Sequence, residues 1–168
     1  NGEEQVLMPH FTFHGFRYAA VEGIENPQPE MFTACVMHSN MRKTGEFRCS
    51  NEKVNQLQSN ISWSLRDNFF DIPSDCPQRD EWLGWMGDAQ VFSWTAAFNR
   101  ETALFFTKWM RDISAASSLE RGVLHIVPDI QGTYSSAAWS DAAVIIPWVV
   151  YQMYGDTRIL EESWKCMH

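Results

Sequence analysis

The sequence predicts a mainly α-helical fold, a bundle or an α/α toroid, preceded by the last strands of a β-domain. Three observations carry that reading. The chain changes from strand-like to helical patterning near Ser50. Beyond that point, helical segments are joined alternately by short and long loops with no strand-like run between them. The strand-like opening is too short to stand as a domain, because two or three strands do not make a stable sheet alone.

Within that opening, Phe11, Phe13, Phe16 and Tyr18 recur through a run that continues into Ala19-Ala20-Val21. A turn-rich gap from Glu22 to Glu30, with Pro27 and Pro29, leads to a second strand-like run from Phe32 to Met37. The expected division is residues 1–45 as the end of a β-domain with its linker and residues 46–168 as the first part of a helical domain.

Ser50 is placed to cap the first helix, Glu52 suits its first turn, and Val54, Leu57, Ile61 and Leu65 form an apolar stripe at helical spacing. Asp88 is expected to cap a helix carrying Val91, Phe92, Thr95 and Phe98. A further helix is expected from Glu101 to Ala116, and residues 117–140 read mostly as loop. Asp141 opens a very apolar helix to Tyr154, ended by Gly155 as a C′ residue. A last helix covers Arg158 to Cys166. Its lack of a partner suggests that more helices follow in the complete protein, and Asn1 in place of Met suggests a processed, excised or partial chain.

Between the first two helices runs Asp71-Ile72-Pro73-Ser74-Asp75-Cys76-Pro77-Gln78-Arg79-Asp80-Glu81-Trp82-Leu83-Gly84-Trp85-Met86-Gly87-Asp88-Ala89-Gln90. It holds five carboxylates, one arginine and two tryptophans, punctuated by two prolines and two glycines, with no apolar periodicity. Such a run cannot bury itself as an ordinary helix or strand, and a loop held on rigid helices is where binding and catalysis concentrate. Acids beside indoles suit a sugar: indole faces cover the apolar faces of a pyranose, carboxylates accept from its hydroxyls, and a carboxyl pair performs hydrolysis. A glutamate in an isolated loop is, however, a solvated side chain more often than a catalyst.

Composition narrows the alternatives. A net charge of −8 and a pI near 5.0, without a basic stripe, argue against nucleic acid. Cys35, Cys49, Cys76 and Cys166 show neither CxxC spacing nor clustered His partners, so no metal site is expected, and their spread reads as separate thiols. Compartment stays open between cytoplasm and secreted or periplasmic space. The longest apolar run, Ala142 to Tyr151, is interrupted by Pro147 and is too short to span a membrane. No phosphate loop, GxSxG or Cys–His pairing supports another chemistry. Trp63, Trp94, Trp109, Trp148 and Trp164 sit on apolar helical stripes and are expected in the core. Trp85 and Trp139 are the expected sugar platforms.

The run Asp75 to Gln90 closely resembles the signature of bacterial α-L-rhamnosidases, glycoside hydrolase family 78. That pattern has Arg where this chain has Trp82 and often Thr where it has Met86. Phe11-Thr12-Phe13-His14-Gly15-Phe16-Arg17-Tyr18, His38-Ser39-Asn40-Met41, Cys49-Ser50-Asn51, Ala137 to Val144 and Tyr154 to Glu162 resemble the same family, so nearly the whole chain is covered. The resemblance implies a partial (α/α)6 barrel preceded by the last strands of a β-sandwich domain. It implies inverting removal of terminal α-L-rhamnose without an organic cofactor. By position Glu81 resembles the general acid; Asp75, Arg79, Trp85, Asp88 and Trp139 resemble the sugar-binding shell; and the general base lies outside this chain. The implied partner is a rhamnose-containing glycoside or polysaccharide, and a homodimer of the complete protein is compatible with it. A related α/α-barrel glycosidase of different sugar specificity and a non-catalytic carbohydrate-binding toroid are the alternatives.

Inverting hydrolysis needs two carboxyls about 6.5–9.5 Å apart, with the acid protonated near neutral pH. A raised pKa is therefore expected at Glu81, from neighbouring apolar rings and acids. Arg79 is expected to fork onto Asp75 or Asp88.

Overall fold

The computed structural model describes residues 3–168. Five helices dominate: α1 (Glu52–Asn68), α2 (Met86–Asn99), α3 (Ala103–Ala116), α4 (Ala142–Tyr154) and α5 (Arg158–Met167). A minimal antiparallel pair, β1 (Phe69–Phe70) with β2 (Ile72–Pro73), closes around Asp71 in the left-handed region at φ 65°.

Local chemistry accounts for most helix ends. The α1 cap is Asn51 rather than Ser50, its side-chain oxygen accepting from Lys53 N at 3.0 Å. Gly155 ends α4 at φ 69° with its N–H on Tyr151 O, the left-handed stop that glycine supplies at no steric cost. The α2 start differs from expectation: the helix begins at Met86, so Asp88 lies in its first turn instead of capping it. Tertiary contacts replace the missing cap, since Met86 N donates to His125 O and Trp85 forms an isolated bridge with Ile126.

Helix α4 is the common partner of α2, α3 and α5. α2 packs on α4 and α3 on α5, while α3 and α5 both also pack on α4. Ala89 and Ala96 on α2 and Ala142 and Ala143 on α4 are buried, and side chains this small let the two helices approach closely. Larger groups fill the space between the helices: Phe106, Trp109, Met110 and Ile113 of α3, Ile146 and Val150 of α4, and Ile159 of α5. The Tyr154 hydroxyl joins the two short turns, accepting from Thr102 N and donating to Arg100 O.

One anchor ties the loops to this core. Trp109 is fully buried, and its indole N–H donates to Val127 O at 3.0 Å. Val127 N in turn donates to Gly84 O at 3.0 Å. The polar loop and the long 117–141 loop thus share one residue fastened to α3.

Two expectations need correction. The runs 11–21 and 32–37 form no ladder among the described residues; they are largely exposed and irregular, because strand-length segments without neighbouring strands have nothing to pair with. Of the five tryptophans expected in the core, only Trp109 is there. Trp63, Trp94, Trp148 and Trp164 are 38–64% exposed, on helix faces that other described elements leave largely uncovered. The same applies to Val54 and Leu57 on α1, of whose apolar stripe only Leu65 is buried. No helix is long and apolar enough to cross a membrane.

Candidate active site

The polar loop is folded by its own acids. Asp75 Oδ1 accepts from Leu83 N at 3.0 Å while Asp75 N donates to Leu83 O at 3.1 Å, pinning the two ends of the 75–83 segment together. Glu81 projects from within it. One oxygen accepts from the Trp85 indole N–H at 2.9 Å; the other pairs with Arg79 Nη2 at 2.5 Å. Arg79 therefore forks onto Glu81 and the Cys76 thiol, not onto Asp75 or Asp88.

The two carboxyls differ in opposite directions. The Trp85 N–H holds the Glu81 carboxyl below the usual range, against the opposing effect of burial, with Asp75 and the Arg79 charge adding to the lowering. Burial pushes Asp75 up, and the adjacent Glu81 carboxylate pushes it further. The sequence expectation of a raised pKa at Glu81 is thus reversed. Apolar neighbours do surround it, but its nearest contacts are a donor and a cation, which favour the charged form. The two carboxyls are thus shifted apart: Asp75 protonates more readily than an ordinary aspartate, and Glu81 less readily than an ordinary glutamate.

Beside this pair opens a cleft of about 630 Å³. Asp75, Trp85, Asp88 and Trp139 line it together with Phe92, Ser64 and Asn68. Four of the six expected site residues therefore meet in one concavity. Glu81 reaches it through Trp85, and Arg79 stands behind Glu81, largely exposed.

Trp139 is set against the first turn of α2. A Cβ on Gly87 would lie 3.0–3.2 Å from three atoms of its indole, so any larger residue here must shift the ring by a few tenths of an ångström. His125 lies 6.1 Å from the same ring, and Gln90 Nε2 donates to Ala138 O. Ala138 is itself left-handed at φ 73°, which presents the next residue toward α2. We expect Gly87→Ala to push the indole out of register and raise KM for a glycoside by about tenfold with a smaller change in kcat, the pattern for lost uniform binding. Initial-rate kinetics on the complete protein would check this, and an unchanged KM would remove Trp139 from the site.

Asp75, Cys76 and Glu81 also offer ligand atoms within 4.8 Å of one another. Arg79 already contacts both Glu81 and the Cys76 sulfur, so the positive charge a cation would bring is supplied by a side chain. All four cysteines are free. Sequence reasoning missed Ser64 and Asn68, which come from α1, and Gln90, whose Oε1 is buried without a hydrogen-bond partner. Gln90 was visible as the last residue of the polar run; the α1 residues carried no signal.

Comparison with known proteins agrees across sequence and fold. Residues 42–168 match the family described as bacterial alpha-L-rhamnosidase 6 hairpin glycosidase domain, and residues 1–38 match the bacterial alpha-L-rhamnosidase concanavalin-like domain. An alpha-L-rhamnosidase of Formosa agariphila is 47% identical over 165 residues, 95% of this chain and 18% of that protein. The structure of alpha-L-rhamnosidase from Dictyoglumus thermophilum superposes with a TM-score of 0.74 at 41% identity, over 77% of this chain and 15% of that one. The Streptomyces avermitilis alpha-L-rhamnosidase complexed with L-rhamnose gives 0.74 at 39% identity, over 77% and 13%. The chain therefore spans less than a fifth of the length of these relatives.

Proposed function

Because the chain belongs to the bacterial α-L-rhamnosidase family through its six-hairpin glycosidase domain, we propose that it forms the acid-bearing part of an enzyme that hydrolyses terminal α-L-rhamnosides. In this reading residues 1–45 end a β-sandwich domain and residues 46–168 begin an (α/α)6 catalytic barrel. The two matched segments, 1–38 and 42–168, support a boundary in that region. The observation that carries the functional reading is the convergence of Asp75, Trp85, Asp88 and Trp139 on one cleft with Glu81 bonded at its edge.

The chemistry follows from that geometry. Trp85 and Trp139 would cover the apolar faces of the sugar, and Asp88 would accept from its hydroxyls. Glu81 would protonate the departing glycosidic oxygen. Asp75, whose carboxyl is shifted upward and lies within 4.8 Å of Glu81, would serve as its proton reserve. A carboxylate from outside these 168 residues would activate water on the opposite face, giving inversion. A homodimer of the complete protein belongs to the same proposal.

A second reading is favoured by the direction of the two pKa values: Asp75 is itself the acid and Glu81 a fixed anion. The test of the reaction is proton NMR of aryl α-L-rhamnoside turnover by the complete protein. β-L-rhamnose as the first product supports the proposal, and the α-anomer overturns inversion. Turnover of another sugar favours a related glycosidase, and binding without turnover favours a carbohydrate-binding toroid.

A further inference from the structure

The segment before the helical domain reaches the acid-bearing loop at two points. Gly15 N donates to Pro77 O at 2.8 Å, and a Cβ on Gly15 would sit 2.5 Å from that oxygen. The Phe13 ring stacks on the Trp82 indole at 4.8 Å with 25° between planes, and is backed by Phe70 at 4.7 Å. These contacts fall at particular places. Cys76 and Trp82, which flank the Arg79–Glu81 stretch, are both left-handed, at φ 47° and 51°. Each is unfavourable for a side chain of its size and persists only where surrounding structure over-determines it. Gly15 grips the residue after the first, and Phe13 covers the second.

We propose that Phe13 and Gly15 are positioning residues for Glu81, bracing the loop at the two strained points either side of it. This rests on the reading of Glu81 as the acid. Trp82 Nε1 is buried without a hydrogen-bond partner, so within the protein the indole is held by ring stacking, which makes Phe13 its support. Glu81 follows directly: its carboxyl is one residue from Trp82, and its N–H donates to Arg79 O inside the braced stretch. Acid delivery to a leaving oxygen depends on placement within fractions of an ångström, so a loop relaxed at either end loses proton transfer before it loses sugar binding. Catalytic placement is thus shared between the two segments of the chain that match different domains.

The test compares two substrates on the same preparation of the complete protein. A dinitrophenyl α-L-rhamnoside leaves with little help from an acid, and an alkyl α-L-rhamnoside needs full protonation. The ratio of their kcat/KM values does not depend on what fraction of a variant is folded. Phe13→Ala and Gly15→Ala are each expected to shift that ratio against the alkyl substrate by about tenfold or more, part of the range of general acid catalysis. Phe13→Tyr, which keeps the ring, should leave it within about twofold of wild type. An equal loss on both substrates, or no loss, overturns the brace. Glu81→Gln run in parallel must show the same selective loss in stronger form. If it does not, the assignment of the acid has failed, independently of the brace variants.

Discussion

Glu81→Gln in the complete protein is expected to lower kcat/KM for an unactivated α-L-rhamnoside by about 10²–10⁴-fold, the range for removing a positioned general acid. The substitution is nearly isosteric, and the amide oxygen can still accept from the Trp85 N–H, now at 2.9 Å. What disappears is the transferable proton and the pairing with Arg79. Activity with a dinitrophenyl leaving group should fall much less.

The pH profile separates the two assignments of the acid. If the proposed pair must carry one proton, activity is expected to fall as pH rises through the pair's upper apparent pKa, the limb associated with the upward-shifted Asp75. Asp75→Asn removes that reserve while Glu81 keeps its Trp85 and Arg79 contacts. The alkaline limb should then move to lower pH with residual activity intact. If Asp75→Asn abolishes turnover as fully as Glu81→Gln spares it, the roles of the two are exchanged.

Gly84→Ala is expected to have the largest effect on the fold. A Cβ there would meet Val127 O at 2.1 Å, Val127 C at 3.0 Å and Ile72 Cδ1 at 3.2 Å. Neither side can retreat. Val127 O is held by the Trp109 indole, which is fully buried, and Val127 N is bonded back to Gly84 O. Overpacking plus weakened hydrogen bonds should cost about 3–4 kcal/mol. The loop carrying Glu81 would detach from the 117–141 loop, so activity would be lost with stability. Urea unfolding followed by tryptophan fluorescence measures this directly. A midpoint equal to wild type would show that the Gly84–Val127 junction is not the anchor described.

The relation between sequence and structure is clearest where they disagree. Apolar spacing marked α1, α3, α4 and α5 to within about two residues, because helical periodicity is a local property of the chain. It could not say which stripes are covered. Trp109 and Trp94 have similar local patterns, yet one is fully buried and the other 38% exposed, since only the first faces the 117–141 loop. At α2 the sequence places the cap at Asp88, but the helix starts at Met86 and includes Gly87, which packs against Trp139, 52 positions away.

The site divides the same way. The density of acids, indoles and turn residues from Asp71 to Gln90 made the candidate loop visible in the sequence alone, since so many polar groups cannot bury themselves without partners. Its internal wiring was not visible. Arg79 pairs with Glu81 instead of Asp75 or Asp88, and it is Asp75, not Glu81, whose carboxyl is shifted upward. Neighbours in sequence set which charges are available, whereas pKa order depends on distances, donor directions and burial that only the folded loop defines. By itself the sequence determined the helices, the catalytic-type loop and the family. The tertiary structure alone decided how Trp139 is set against Gly87, which carboxyl is shifted upward and which distant residues, Phe13 and Gly15, touch the loop, because these contacts join segments that no local pattern links.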